Sequence, residues 1–280
     1  MNIEVTEWVV VPGNMVIVAR GTGEIWFLEL DDRGDVLPFA RPMTGKGTRE
    51  STAALLNGAV ALGFGSVGHS DNHEPSLPKY VLDLIGAYHN SRRTPGHFLQ
   101  AAERFRELSR PHIASYLETH AREETGHDRL VLKDLRALGL PAERIVANLV
   151  PEGMKTLCDL FDRLCSSNYP IGCIGYSYCF EYTAAMKKRP EVDALEALCR
   201  VDASRFLRTH SGLGSEVTHV EDMIDFIADL PASDRIQIVQ VAYDTAVTMS
   251  EGIRRQGLLS ESEILAKIQD AAGEEIRLVA

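Results

Sequence analysis

Short apolar runs broken by turn signals fill the first ~45 residues, whereas stripes stepping by three and four positions dominate the remainder. In VTEWVVVPGNMVIVARGTGEIWFLELDDRGDVL, β-rich runs are separated by Pro12-Gly13-Asn14, Gly21-Thr22-Gly23 and Asp32-Arg33-Gly34. That pattern predicts a small antiparallel meander over residues 1–48, ending in a Gly-rich link at Thr44-Gly45-Lys46-Gly47. From Ser51 the pattern is helical: AALLNGAVALGFG forms one helix, 68–78 a loop, and LPKYVLDLIGAYH a second helix. A longer helix opens at Pro111, a residue suited to a first turn, and runs to Gly139, with Pro141 beyond it. Another follows Asn168-Tyr169-Pro170 and extends to about Lys188. A third covers about Ala203 to Leu230, interrupted by Gly212 and Gly214 and stopped by Pro231. The last runs from about Asp234 to Gln256 behind a Ser233 cap. The reading is all-α, with a β appendage at 1–48 and one helical domain at 49–280.

Three of these helices carry polar residues where the apolar stripe should continue. On the helix from Pro111 the seam reads Ile113, Leu117, His120, Glu124, His127, Val131, Leu135, Leu138. At about 100° per residue, His120, Glu124 and His127 fall within about 60° of one another. After Pro170 the seam is Ile171, Ile174, Tyr178, Glu181, Ala185, and Glu181 is the only acid between Arg163 and Pro190. A lone buried carboxylate takes up a proton or finds a cation. The third helix carries Glu216 and His219 on a broad apolar face, with His210 ahead of the glycines.

Composition narrows the classes. A net charge of −11 without acidic blocks argues against nucleic acid or an anionic membrane as partner. No run of about 18 apolar residues exists, and the start MNIEVTEWVV lacks the layout of a secretory signal. Five cysteines without a C-x-x-C pair read as reduced, buried thiols, so a cytoplasmic location is expected.

The resulting inventory is Glu124-x-x-His127, Glu181 and Glu216-x-x-His219, with His210 and His120 in reserve. Carboxylates with imidazoles and no thiolate suit iron or manganese. Two Glu-x-x-His pairs plus further glutamates are also how helical bundles hold two irons. The expectation is that these side chains converge on a common metal. Each has a plainer reading. Glu181 could instead serve as a protonated or salt-bridged core residue, Glu124 and His127 as part of a solvated face, and Glu216 and His219 as part of a polar segment. Glu123, four residues before His127, competes with Glu124. His69, His73, His89, His97 and His112 are assigned to loops or the surface.

HAREETGHDRLVLKDLRALG, GYSYCFEYTAAM and FLRTHSGLGSEVTHVEDMI, in that order, resemble the heme-oxygenase-like diiron oxidases. That family shares a seven-helix fold with TenA/thiaminase and pyrroloquinoline-quinone synthase proteins, and the likeness covers roughly residues 80–255. It implies Glu124 and His127 from the first motif, Glu181 from the second, and His210, Glu216 and His219 from the third as metal ligands. The third motif departs from the family's His-x3-Asp-x2-His: Glu216 stands for Asp, and His210 lies two residues too far upstream. The resemblance implies two Fe(II) per chain and O2 as co-substrate. The substrate would be a small molecule such as an amino acid or fatty acid, oxidised by N-oxygenation, C–H abstraction or C–C cleavage. It leaves open an external electron donor and a homodimer. Tyr178 and Tyr182 flank Glu181 as hydrogen-bond donors or as plain packing.

Three alternatives stand beside it. One is a metal-free hydrolase or oxidase with Cys179 as nucleophile. Another is a ferritin-like bundle, for which Glu103 and Glu107 lie too near Glu124 in sequence. The last is a non-enzymatic binding protein on the same fold.

Overall fold

The computed structural model describes residues 6–30, 43–67, 75–199, 201–213 and 216–278. Its strands are β1 (Thr6–Val11), β2 (Met15–Arg20) and β3 (Ile25–Glu29). The helices begin with α1 (Arg49–Gly65), α2 (Leu77–Glu107), α3 (Pro111–Glu123), α4 (His127–Ala137), α5 (Ala142–Asn148) and α6 (Glu152–Cys165). They continue with α7 (Gly172–Ala185), α8 (Arg189–Leu198), α9 (Arg205–Thr209), α10 (Glu216–Ala228), α11 (Ala232–Gly257) and α12 (Glu261–Ala272). The fold is all-α with a small antiparallel sheet at the N-terminal end. No helix among the described residues is long and apolar enough to cross a membrane.

The chain forms two compact units. The first comprises residues 1–67, 171–183 and 217–250. Its sheet has the order β1-β2-β3, with Val9 opposite Ile17 and Ile17 opposite Phe27. The first two expected turns are present: Gly13 and Asn14 turn β1 into β2, and Gly23 turns β2 into β3, all three at positive φ. The turn expected at Asp32-Arg33-Gly34 lies outside the described residues. Val16, Ile17 and Ala19 on the central strand are fully buried. Polar ties hold this sheet to the helices. Gln240 donates to Val10 O at 2.8 Å, and Arg235 pairs with Glu7. Both members of that ion pair are buried, and Arg235 also donates to Leu230 O at 2.6 Å. Ser51, inside the first turn of α1, donates to the same Glu7 carboxylate.

Within this unit α7 lies against α11 with backbone nearly touching backbone. A Cβ built on Gly175 would sit 2.1 Å from Ile238 O, so only glycine allows the approach. Ile174, Tyr176, Tyr178 and Cys179 are buried around it, which is why this stretch lacks an apolar stripe and reads apolar on every side.

The second unit comprises residues 68–170, 184–216 and 251–280. Its core gathers Val81 and Ile85 from α2, Val131 and Leu135 from α4, Ile145 from α5, and Ile268 from α12. The helix α2 is far longer than LPKYVLDLIGAYH suggests, because it continues through Pro95. Proline costs a helix one hydrogen bond, but Phe98, Ala101, Ala102 and Phe105 beyond it are buried and hold the continuation in place.

The single helix expected from Pro111 to Gly139 is instead two. Gly126, at φ +96°, breaks it between α3 and α4, a conformation that L residues avoid and glycine adopts freely. The helix expected over Ala203–Leu230 is likewise divided into α9 and α10. Gly212 passes close under the end of α7's chain, its N–H donating to Lys187 O at 3.2 Å. Gly214 lies outside the described residues.

Candidate metal centre

In the second unit the break at Gly126 shapes the site. Glu124 caps α3 and His127 opens α4, so the two are not neighbours on one helical face. They meet across the turn: His127 Nδ1 lies 3.1 Å from Glu124 Oε2. Thr125 closes the turn by donating its hydroxyl to Ala121 O at 2.7 Å. Glu124 is buried, whereas Glu123, its competitor in sequence, is exposed.

His210 completes the group. It is the C-terminal cap of the five-residue helix α9, its ring edge-on to His127 with centroids 4.6 Å apart. Glu124, His127 and His210 each offer one ligand atom, all within 4.8 Å of one another. Two atoms bound to one first-row metal at about 2.0–2.2 Å stand about 3–4 Å apart, so a closing of roughly 1–2 Å at most would bring all three onto one ion. One carboxylate with two imidazoles is a donor set fitted to ferrous iron. Burial alone would raise the Glu124 carboxyl. The hydrogen bond from His127 and the imidazoles of His210 and His120 together outweigh it and hold Glu124 below the usual range.

His120 is buried on α3 beside this group, edge-on to Phe98 with centroids 4.7 Å apart. It is not one of the three residues whose ligand atoms converge. His89 and His97, expected in loops or at the surface, instead lie on α2. His89 Nε2 meets Leu149 O at 2.9 Å, and His97 Nε2 meets Asp162 at 2.6 Å. His112 is exposed, and His69 and His73 lie outside the described residues. A cavity of about 300 Å³ in the same unit is lined by Tyr88, His89, Arg92, Arg93, Glu143 and Val146, and contains none of the candidate ligands.

The first unit holds the other donors. Glu181, on the buried stretch of α7, accepts from Ser177 Oγ at 2.8 Å. His219 on α10 brings Nδ1 to 3.8 Å from Glu181 Oε2. Val220, Met223, Ile224 and Ile227 bury the same helix. Glu216 opens α10, but its side chain lies outside the described residues. Tyr178 is committed elsewhere: its hydroxyl donates to Asn57 Oδ1 at 2.6 Å, and its ring stacks on Tyr182 with centroids 5.7 Å apart. A donor to Glu181 is instead the serine one turn earlier, a residue outside the sequence candidates. A hydroxyl at i−4 from a buried acid was the available signal.

Cys179 is fully buried, and burial pushes its thiol well up, away from the thiolate that a nucleophile requires.

The model of a family described as iron-containing redox enzyme matches residues 83–249, well over half of the chain. Among solved structures, a domain of unknown function with a heme oxygenase-like fold from Shewanella denitrificans superposes with a TM-score of 0.60 at 16% identity. The match covers 81% of this chain and 95% of that one. A TenA homolog from Pseudomonas syringae pv. tomato superposes with a TM-score of 0.53 at 13% identity, covering 75% of this chain and 97% of its own. At those identities the likeness is one of fold. No curated protein matches the chain.

Proposed function

The chain belongs to the family of iron-containing redox enzymes, and from that membership we propose that it is a non-haem iron oxidase or oxygenase. Fe(II) would be held by Glu124, His127 and His210. The observation that carries the reading is the buried carboxylate and two imidazoles whose ligand atoms lie within 4.8 Å of one another. Iron bound there would supply one-electron chemistry toward O2, the co-substrate.

The protein's own part follows from the surroundings. Glu124 contributes negative charge at a position already held ionised by imidazoles. For Nδ1 of His127 to meet an ionised carboxylate it must carry a proton, and that proton has to leave before the same nitrogen can bind a cation. Phe98 and Phe206 flank His120 and His210, giving an apolar wall that limits water.

We further propose two irons per chain, the second on Glu181 and His219, with Glu216 as an added carboxylate. The substrate would be a small molecule such as an amino acid or fatty acid, with electrons from an external donor. The metal-free alternative built on Cys179 is disfavoured by the burial of that thiol.

Anaerobic Fe(II) titration followed by O2 exposure tests the proposal. Binding near two irons per chain and a transient visible absorption are expected. Iron uptake unchanged in Glu124→Ala, or loss of turnover on alkylating Cys179 in iron-free protein, would contradict it.

A further inference from the structure

Seven residues after His127, the helix α4 carries an acid at which no metal is expected. Seven positions are nearly two full turns, so His127, Val131 and Asp134 share one stripe, about 10 Å from end to end. Val131 is fully buried, and so is Asp134. A carboxylate in that position needs donors, and both come from the start of α9. Phe206 N–H donates to Asp134 Oδ2 at 2.9 Å, and Arg205 donates to Oδ1 at 3.0 Å.

A helix of five residues has little stability of its own, since nucleation is costly and few of its backbone bonds are internal. Its placement must come from outside. The carboxylate of Asp134 bonds the Phe206 N–H as a cap would, but from another helix. Arg205 is held in turn by Asp202 at 2.8 Å, and Tyr80 anchors Ala203 O at 2.8 Å. The far end of α9 is His210. Its N–H donates to Phe206 O at 2.9 Å, and its ring lies on the Phe206 ring with centroids 4.4 Å apart. The same helix α4 therefore presents His127 directly and fixes His210 through Asp134 and Phe206.

We propose that Asp134 is a positioning residue of the metal site: it sets α9 against α4 so that His210 faces Glu124 and His127. The proposal rests on reading those three residues as metal ligands. It goes beyond that reading by coupling metal affinity to a carboxylate that touches no metal.

The experiment is anaerobic Co(II) titration, followed by the ligand-field absorption of Co(II), on wild type, Asp134→Asn, His210→Ala and the double variant. Partners bonded directly to a ligand are worth about 10–100-fold in metal affinity; Asp134 acts one step removed, through Arg205 and Phe206, so a drop of roughly tenfold is expected for Asp134→Asn, with an altered absorption envelope. In the His210→Ala background the same substitution should cost less than about 3-fold, because its effect passes through His210. Equal losses in both backgrounds would overturn the proposal. Should Asp134→Asn fail to fold, wild-type protein still decides. Binding and placement are reciprocal, so Co(II) should slow hydrogen exchange at the Phe206 amide, and an unchanged rate counts against the proposal. Absence of Co(II) and Fe(II) binding in wild type is a separate result: it defeats the ligand reading itself.

Discussion

His127 Nδ1 lies 3.1 Å from Glu124 Oε2 although Glu124 caps the end of α3 and His127 opens α4. In a continuous helix the pair would be held side by side by the backbone ladder. Here a single residue at φ +96° brings them together, and Glu124 gains a capping position from which its carboxylate turns back onto α4.

Gly126→Ala is therefore expected to act on both stability and metal binding. A Cβ at that φ costs roughly 1–2 kcal/mol, and a Cβ there meets no neighbour within 4 Å, so the penalty is conformational rather than steric. Chemical unfolding should show a loss of about that size, and Fe(II) affinity should fall along with it. A variant as stable as wild type with unaltered affinity would show that the turn does not set the pair.

The second donor group gives a stoichiometric prediction. Glu181→Ala or His219→Ala should reduce bound iron from about two to about one per chain, measured by anaerobic titration. Ser177→Ala removes only the hydroxyl that donates to Glu181 Oε1 at 2.8 Å. It should leave the count unchanged while weakening the second iron by roughly tenfold, the lower end of what such supporting bonds are worth. Two irons retained in Glu181→Ala would dismiss that residue as a ligand.

How far the chain reveals this arrangement depends on the kind of force involved. Glu124 and Glu181 stand out in the sequence because a carboxylate among apolar residues contradicts its surroundings, although α7 proves apolar on every side rather than striped and the stripe through Glu124 breaks at Gly126. The two sheet turns were legible at Gly13-Asn14 and Gly23 for a similar local reason. Gly126 was not. A glycine within HAREETGHD weakens a helix by only about 1 kcal/mol, so sequence alone cannot tell a tolerated glycine from a left-handed break. Pro95 misled in the opposite direction, since tertiary packing of Phe98 and Phe105 outweighs its local cost. Asp134 was hidden because its partners lie about 70 residues away, and only the fold brings Phe206 to it. His97 is hidden in the same way: its partner Asp162 lies on α6, which only the fold brings to it.

The buried Glu7–Arg235 pair predicts that the N-terminal sheet contributes to stability. Its side chains are 3% and 1% exposed, so removing either charge strands the other in the interior. Such single replacements typically cost about 3–5 kcal/mol, whereas replacing both with apolar residues of similar volume is far milder. Urea unfolding of Glu7→Leu, Arg235→Met and the double variant Glu7→Leu/Arg235→Met should show that non-additivity. Three equal, small losses would mean that the pair is not carrying the contact between sheet and α11.

Burial is the main reason that the His89 imidazole is held below its ordinary range. Its backbone bond to Leu149 O opposes the shift, and the charges of Arg93 and Arg92 reinforce it. The unfolded chain takes up this proton near pH 6.5, and the folded chain only at lower pH. The stability that His89 provides is thus complete above about pH 6.5 and is lost as pH falls toward the folded value. His97 is shifted in the same direction, again mainly by burial and against the attraction of Asp162. Metal-free protein unfolded in urea at intervals from pH 7.5 to 5.0 should therefore weaken steadily below about pH 6.5. His89→Gln keeps an N–H able to reach Leu149 O but cannot titrate, so the gap in stability between it and wild type should narrow as the pH is lowered. A gap of constant width across that range would mean that His89 binds its proton equally well in the folded and unfolded chain.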